Sequence, residues 1–130
     1  MAVLIDTSVL VNAERRGLSL ERALGEQERA ISVVTASELL HGVHRAKDDR
    51  VRTRRQAFVE HLISSIEPLP VTTSVARAHA EIWVGLERSG EVIGAHDMWI
   101  AATAVSHGMA VATSNAGEFE RVAGLTVVAL

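Results

Sequence analysis

At 130 residues the chain is of single-domain size, 1–130, long enough to bury roughly two thirds of the surface its unfolded form exposes. It is 48% hydrophobic but only 3% aromatic and has no Cys, which excludes disulfides and thiolate zinc sites. The formal net charge of −3 argues against a protein that coats nucleic acid by charge alone.

The opening Val3-Leu4-Ile5 reads as a buried parallel strand that ends at Asp6. Thr7 or Ser8 is the expected cap of a following helix, with Val9, Leu10 and Ala13 on its inward stripe. A turn of this kind places Asp6 at the carboxyl edge of a sheet, where open α/β folds build their sites. Capping alone is the simpler role for an Asp followed by Thr-Ser. No basic leader precedes Asp6 and no stretch approaches eighteen apolar residues, so the expectation is a soluble cytoplasmic protein without a membrane segment.

Arg15-Arg16-Gly17 forms a turn, and Ser19 caps a short amphipathic helix to about Gln27. Ala30 to Val34 is apolar and β-branched, the pattern of a second strand. Thr35-Ala36-Ser37-Glu38 then reads as a capping box before Leu39, Leu40 and Val43. That reading gives Glu38 a structural role, yet it also places a second acid just past a strand end.

A longer helix is predicted from Asp48 to about Ile66, with Val51, Phe58, Leu62 and Ile66 along one side, closed by Glu67-Pro68-Leu69-Pro70. Arg45, Lys47, Arg50, Arg52, Arg54 and Arg55 fall within eleven residues there and meet only Asp48 and Asp49, so the segment carries +4 and the rest of the chain −7. Val71 belongs to a short extended piece. Thr73 or Ser74 opens a helix with Val75, His79, Ile82, Trp83 and Leu86 at helical spacing, stopping at Ser89-Gly90, and His79 is expected in the core.

His96 to Gly108 is an alanine-rich helix suited to close packing on a sheet, with Asp97 in its first turn. Met109 to Thr113 is the next strand, Ser114 to Glu120 a turn with a short helix, and Leu125 to Val128 the last strand. Alternating strands and helices indicate an α/β fold with a mainly parallel sheet. Asp6, Glu38, Asp97 and the Thr113-Ser114-Asn115 segment with Glu118 all fall where strands end or helices begin, so four separated polar segments can meet at one edge.

Two carboxylates ~4 Å apart repel by ~4 kcal/mol at an effective dielectric constant near 20. They must share protons or hold a cation, and an oxygen-only ligand set favours Mg²⁺ or Mn²⁺ over zinc.

Leu4-Ile5-Asp6-Thr7-Ser8-Val9-Leu10, Thr35-Ala36-Ser37-Glu38-Leu39, Ile93 to Ala104 and Ala112 to Phe119 together resemble PIN-domain ribonucleases, more closely the VapC toxins of bacterial toxin-antitoxin pairs. The resemblance spans nearly the whole chain. It implies an α/β/α sandwich and a metal-dependent endoribonuclease with catalytic acids at Asp6, Glu38 and Asp97, Mg²⁺ or Mn²⁺ held by Asp6 and Asp97, and a 5′-phosphate product. It further implies a homodimer neutralised by an antitoxin. The chain carries Asn115 where some members have a fourth Asp, while others use an acid three residues later, here Glu118.

The dense bases Arg45, Arg50, Arg52, Arg54 and Arg55 are the expected RNA phosphate contacts, a solvated helix face or a partner surface being the alternatives. Leu10, Leu39, Leu40 and Val43 are candidates for apolar surface between protomers or under a partner helix, filling the core being their other role. His96 is a candidate substrate contact, with junction packing as its other role. Two further readings compete: a PIN-like module that only binds RNA or protein, and a receiver or phosphatase-like α/β domain. The phosphatase needs a second acid two residues after Asp6, where Ser8 stands; the receiver needs a late Lys, and the only Lys is Lys47.

Overall fold

The computed structural model describes residues 2–130. Its strands are β1 (Val3–Ile5), β2 (Arg29–Ala30), β3 (Ala110–Thr113) and β4 (Val127–Ala129). The helices are α1 (Thr7–Arg16), α2 (Leu20–Leu24), α3 (Val33–Arg45), α4 (Asp49–Ser65), α5 (Thr73–Ser89), α6 (Ala95–His107) and α7 (Ala116–Phe119).

All four strands run parallel in the order β2-β1-β3-β4. Strand residues alternate between two cores because successive side chains leave a strand on opposite faces. Leu4 and Val111 face a cluster with Val75, Ile82, Leu86, Ile100 and Ala101, contributed by α5 and α6. Val3, Ile5, Ala110 and Ala112 face the other, with Leu10, Leu39, Val43, Val59 and Leu62 from α1, α3 and α4. The result is the expected three-layer α/β/α sandwich.

The chain leaves β1 towards β2 on one side and later returns to β3 on the other. The crevice between the carboxyl ends of β1 and β3 is therefore the place where connections diverge, the usual site position in an open parallel sheet. Register carries the two ends there together, Ile5 pairing with Ala112.

Several local expectations are corrected. Strand β2 stops at Ala30; Ser32 makes only an isolated bridge to Leu69, and α3 begins at Val33 with Ser32 as its cap, accepting from the Val34 amide at 3.0 Å. The predicted capping box at Thr35 to Glu38 is thus already inside the helix. The β-branched run to Val34 suggests a strand, but Ser32 offers an earlier cap that ends the sheet pairing. Likewise Thr7 and Ser8 are the first helical residues of α1 rather than its caps, and Asp6 stands at the cap position with no side-chain cap bond.

Ser19 and Asp48 cap α2 and α4, while Thr72 rather than Thr73 or Ser74 caps α5. His79 is half-buried, stacked on Trp99 at a centroid distance of 3.6 Å, and Trp83 on the same helix is 55% exposed, so that stripe is not all core. Leu10, Leu39 and Val43 are buried in the second core and Leu40 packs against it, which removes them as an interface between protomers. No helix among the described residues is long and apolar enough to cross a membrane.

Candidate active site

Asp6 follows β1 directly and is only 3% exposed. Its carboxylate is held by two hydroxyls, Ser8 Oγ at 2.7 Å and Thr113 Oγ1 at 2.8 Å, both donating to Oδ2. Ser8 sits one position into α1 and Thr113 ends β3, so the acid is fixed from both sides of the crevice. Each hydroxyl is itself oriented by an amide: Ser114 donates to Ser8 Oγ at 3.0 Å and Asn115 to Thr113 Oγ1 at 2.9 Å.

Glu38 reaches the crevice from the second turn of α3. Thr7 Oγ1 donates to its Oε1 at 2.8 Å and lies 3.1 Å from the hydroxyl of buried Thr35. His96 Nδ1 lies 3.4 Å from Glu38 Oε2, which places His96 across the mouth rather than in junction packing, its side chain 67% exposed.

Asp97 stands in the first turn of α6. Burial, then the charge of Asp6, then the hydrogen bond and charge of Glu118 and the charge of Glu38 push its carboxyl up to about 7. Glu118 is held low instead, chiefly by the Gly94 amide donating to its Oε1 at 2.5 Å, with further hydrogen bonds from Asp97 and Asn115. Asn115 donates its side-chain amide to Glu118 Oε2 at 2.7 Å. The Asn115 side chain therefore meets the other acids through Glu118, and Glu118 is the fourth carboxylate beside Asp97.

Glu118 lies on a helix of four residues, too short to persist alone. Phe119, fully buried in the first core, anchors that turn and so fixes its neighbour. Gly94 was not among the sequence candidates. A Cβ there would lie 3.4 Å from Glu118 Oε1 and 3.6 Å from Asp97 Oδ2, so its small size admits both acids. The readable signal was a glycine three residues before an acid at a helix start.

The structure thus brings Asp6, Glu38, Asp97, Asn115 and Glu118 to one edge, where the neighbouring acid charges make Asp97 hold a proton more tightly than an ordinary carboxylate. All the donors are hard oxygens, the set that suits Mg²⁺ or Mn²⁺. No three Asp, Glu or His side chains among the described residues stand close enough to cage an ion.

The arginines divide. Arg52 pairs with Asp49 at 2.7 Å and donates to the Ala46 carbonyl; Arg54 and Arg55 pair with Glu14 at 3.2 and 3.7 Å. Arg45 and Arg50 are exposed and have no ion-pair partner among the described residues. The basic segment is therefore partly consumed in holding α4 against α1 and its own start.

Residues 3–125 match the family described as PIN domain. Ribonuclease VapC1 of Rickettsia felis is 35% identical over 128 residues, 98% of this chain and 96% of that protein. The tRNA(fMet)-specific endonuclease VapC of Salmonella typhimurium is 36% identical over 80% of this chain and 76% of its own length. Among solved structures, DNA-bound VapBC from Salmonella typhimurium superposes with a TM-score of 0.88 at 30% identity, covering 99% of this chain and 98% of that one. VapBC-5 from Mycobacterium tuberculosis, a toxin-antitoxin system, gives 0.82 at 30% identity over the whole of both chains. With sequence, sheet order and polar edge in agreement, the chain belongs to the PIN-domain family, among the VapC ribonucleases.

Proposed function

We propose that this protein is a divalent-metal-dependent endoribonuclease, the toxin of a toxin-antitoxin pair. The observation that carries this reading is the gathering of Asp6, Glu38, Asp97 and Glu118 at the carboxyl edge, where burial and the neighbouring acid charges push Asp97 up to about 7. Asp6 and Asp97 would hold Mg²⁺ or Mn²⁺. When bound, such an ion supplies charge stabilisation at a phosphodiester and makes a nearby water more acidic.

The chain's own groups do the rest. Glu38, oriented by the Thr7 hydroxyl, accepts a proton from the attacking water. The water oxygen bonds to phosphorus in line with the departing 3′-oxygen, that P–O bond breaks, the 3′-oxygen takes a proton from solvent water, and the products are a 3′-hydroxyl and a 5′-phosphate. Glu118, fixed by the Gly94 and Asn115 donors, accepts a hydrogen bond from Asp97 while Asp97 keeps its proton and adds local negative charge once that proton leaves. Asp6 is held in place by its two hydroxyl donors.

An antitoxin as partner is supported by the toxin-antitoxin assemblies among the structural neighbours. A homodimer is the companion reading, and its support is the exposed apolar pair Trp83 and Val84 on α5. Light scattering at high concentration tests it; a monomer overturns it.

The decisive experiment is cleavage of an initiator transfer RNA, the substrate class in the name of the Salmonella relative, with and without added Mg²⁺ or Mn²⁺. Metal-dependent cleavage that Asp97→Asn removes, in a variant that still folds, is the expected result. Binding without cleavage under all metal conditions would replace the enzyme by a PIN-like binding module.

A further inference from the structure

A groove leaves the acidic edge between α1 and α3. Its near end holds Thr7, Glu38 and His96, and its far end holds Arg15, His41 and Arg45. Both helices begin at the carboxyl edge and run away from it. Thr7, Val11 and Arg15 are spaced four residues apart, and Glu38, His41 and Arg45 three and four apart, so each set forms one stripe on its helix. At 1.5 Å per residue the two arginines lie roughly 10–12 Å along the groove from the acidic end.

Arg15 and Arg45 are exposed and have no ion-pair or hydrogen-bond partner among the described residues, in contrast to Arg52, Arg54 and Arg55. Basic residues in a last turn do complement the helix dipole. That accounts for their place on each helix but not for their meeting across one groove that starts at the acids.

The groove wall carries a second sign. Gly42 lies inside α3, where glycine costs about 1 kcal/mol relative to alanine, and a Cβ there would meet nothing within 4 Å. No packing within the chain calls for that glycine. Its missing side chain keeps the groove open.

Resting on the ribonuclease reading above, we infer that this groove is the track of the single-stranded RNA flanking the scissile phosphate, with Arg15 and Arg45 gripping backbone phosphates. The acidic edge repels a polyanion, so attraction must come from somewhere near. Two unpaired guanidinium groups at the end of an open groove contiguous with the acids supply it, and Arg can take two phosphate oxygens at once. Of the expected phosphate contacts, Arg45 is kept and Arg15 is added, while Arg52, Arg54 and Arg55 are taken up in pairs within the chain.

The test uses Asp97→Asn protein and a fluorescent mixed-sequence 20-nucleotide RNA, titrated over a KCl series. Adding Arg15→Gln with Arg45→Gln should weaken binding about tenfold and flatten the slope of log affinity against log salt by about 1.4, two contacts at ~0.7 each for single strands. Arg77→Gln with Arg88→Gln, the same charge loss on exposed α5 positions, should leave both unchanged. Gly42→Leu should weaken binding at an unchanged slope, because it fills the groove without removing charge. In protein with Asp97 intact, the arginine pair should raise KM and spare kcat.

Unchanged affinity and slope in the arginine pair, with cleavage by the intact protein normal, overturns the track and leaves the ribonuclease reading standing. Unchanged RNA binding combined with loss of a co-expressed antitoxin would assign the groove to that protein and equally overturn the proposal. Failure of the intact protein to cleave any RNA, with arginine-dependent binding preserved, would strike the enzyme reading and not the track.

Discussion

The molecule keeps carboxylates out of water in two places and treats them oppositely. Glu14 on α1, its side chain 7% exposed, is met by Arg54 and Arg55 reaching across from α4. Asp6 and Asp97, at the sheet edge, are met by hydroxyls, an amide-braced glutamate and each other. The first arrangement sets two guanidinium groups against one carboxylate, and the second sets carboxylates together with no Lys or Arg paired to them among the described residues. Acids met by the chain's own arginines join helices; acids left without a counter-charge are the ones the proposed function assigns to a metal ion.

That contrast breaks first in catalysis. Asp97→Asn should lower RNA cleavage by roughly 10²–10⁴-fold, the range that positioned acid-base groups supply, while circular dichroism shows a folded protein. Cleavage at the parental rate, after exclusion of contaminating nuclease, would mean the edge acids are no more functional than Glu14.

Next comes metal. A ligand that binds only the folded state at one hundred times its dissociation constant adds about 2.7 kcal/mol. Thermal melts in Mn²⁺ or Mg²⁺ should therefore shift upward for the parent and hardly at all for Asp97→Asn. A shift that Asp97→Asn leaves intact would place the ion elsewhere.

Removing Glu14 should do the reverse of removing Asp97. Glu14→Ala removes the Arg54 hydrogen bond and the charge facing half-buried Arg55 and should cost about 1 kcal/mol, read by urea denaturation. Asp97→Asn, by relieving repulsion, should raise metal-free stability above the parent at neutral pH. Equal destabilisation by both substitutions would abolish the distinction.

The smallest effect is in the pH profile. Asp97 has its folded value raised from 3.8 to about 7, so the folded state binds the proton more tightly than the unfolded one. Its contribution to metal-free stability is complete below about 4 and is lost as pH rises towards and through 7. Glu118, held below its ordinary range, acts in the opposite sense, its contribution being lost only as pH falls through its depressed value. Melting temperature measured in chelator should fall between pH 5 and pH 8, and Asp97→Asn should flatten that part of the curve; a flat parental curve would mean the acids do not repel.

The sequence announced the strand-end acids because strand, acid and helix follow one another without an interval at Asp6, and because Asp97 opens an alanine-rich helix. It misled at α3, where β-branched residues up to Val34 outweighed Ser32 as the cap, and a real helix interior looked like a capping box. It was silent on Gly94, whose value lies in two acids it faces only after β3 and α7 have packed. It was equally silent on Glu14, an ordinary helical glutamate until Arg54 and Arg55 arrive 40 residues later. Local signals survive where neighbours in sequence are neighbours in space; pairing across α1 and α4 leaves none.

The tie between Thr113 and Asp6 joins positions 107 residues apart, and β1 has its β3 partner only from Ala110 onward. During synthesis the first strand emerges long before the strand that completes its acidic edge. Pairings so distant along the chain form late and slowly, since closing the intervening loop must precede any reward from the contact. An incomplete polypeptide therefore carries Asp6 and Glu38 without Asp97, Glu118 or the Thr113 hydroxyl, and the acidic edge is assembled only once β3 and α7 have been made.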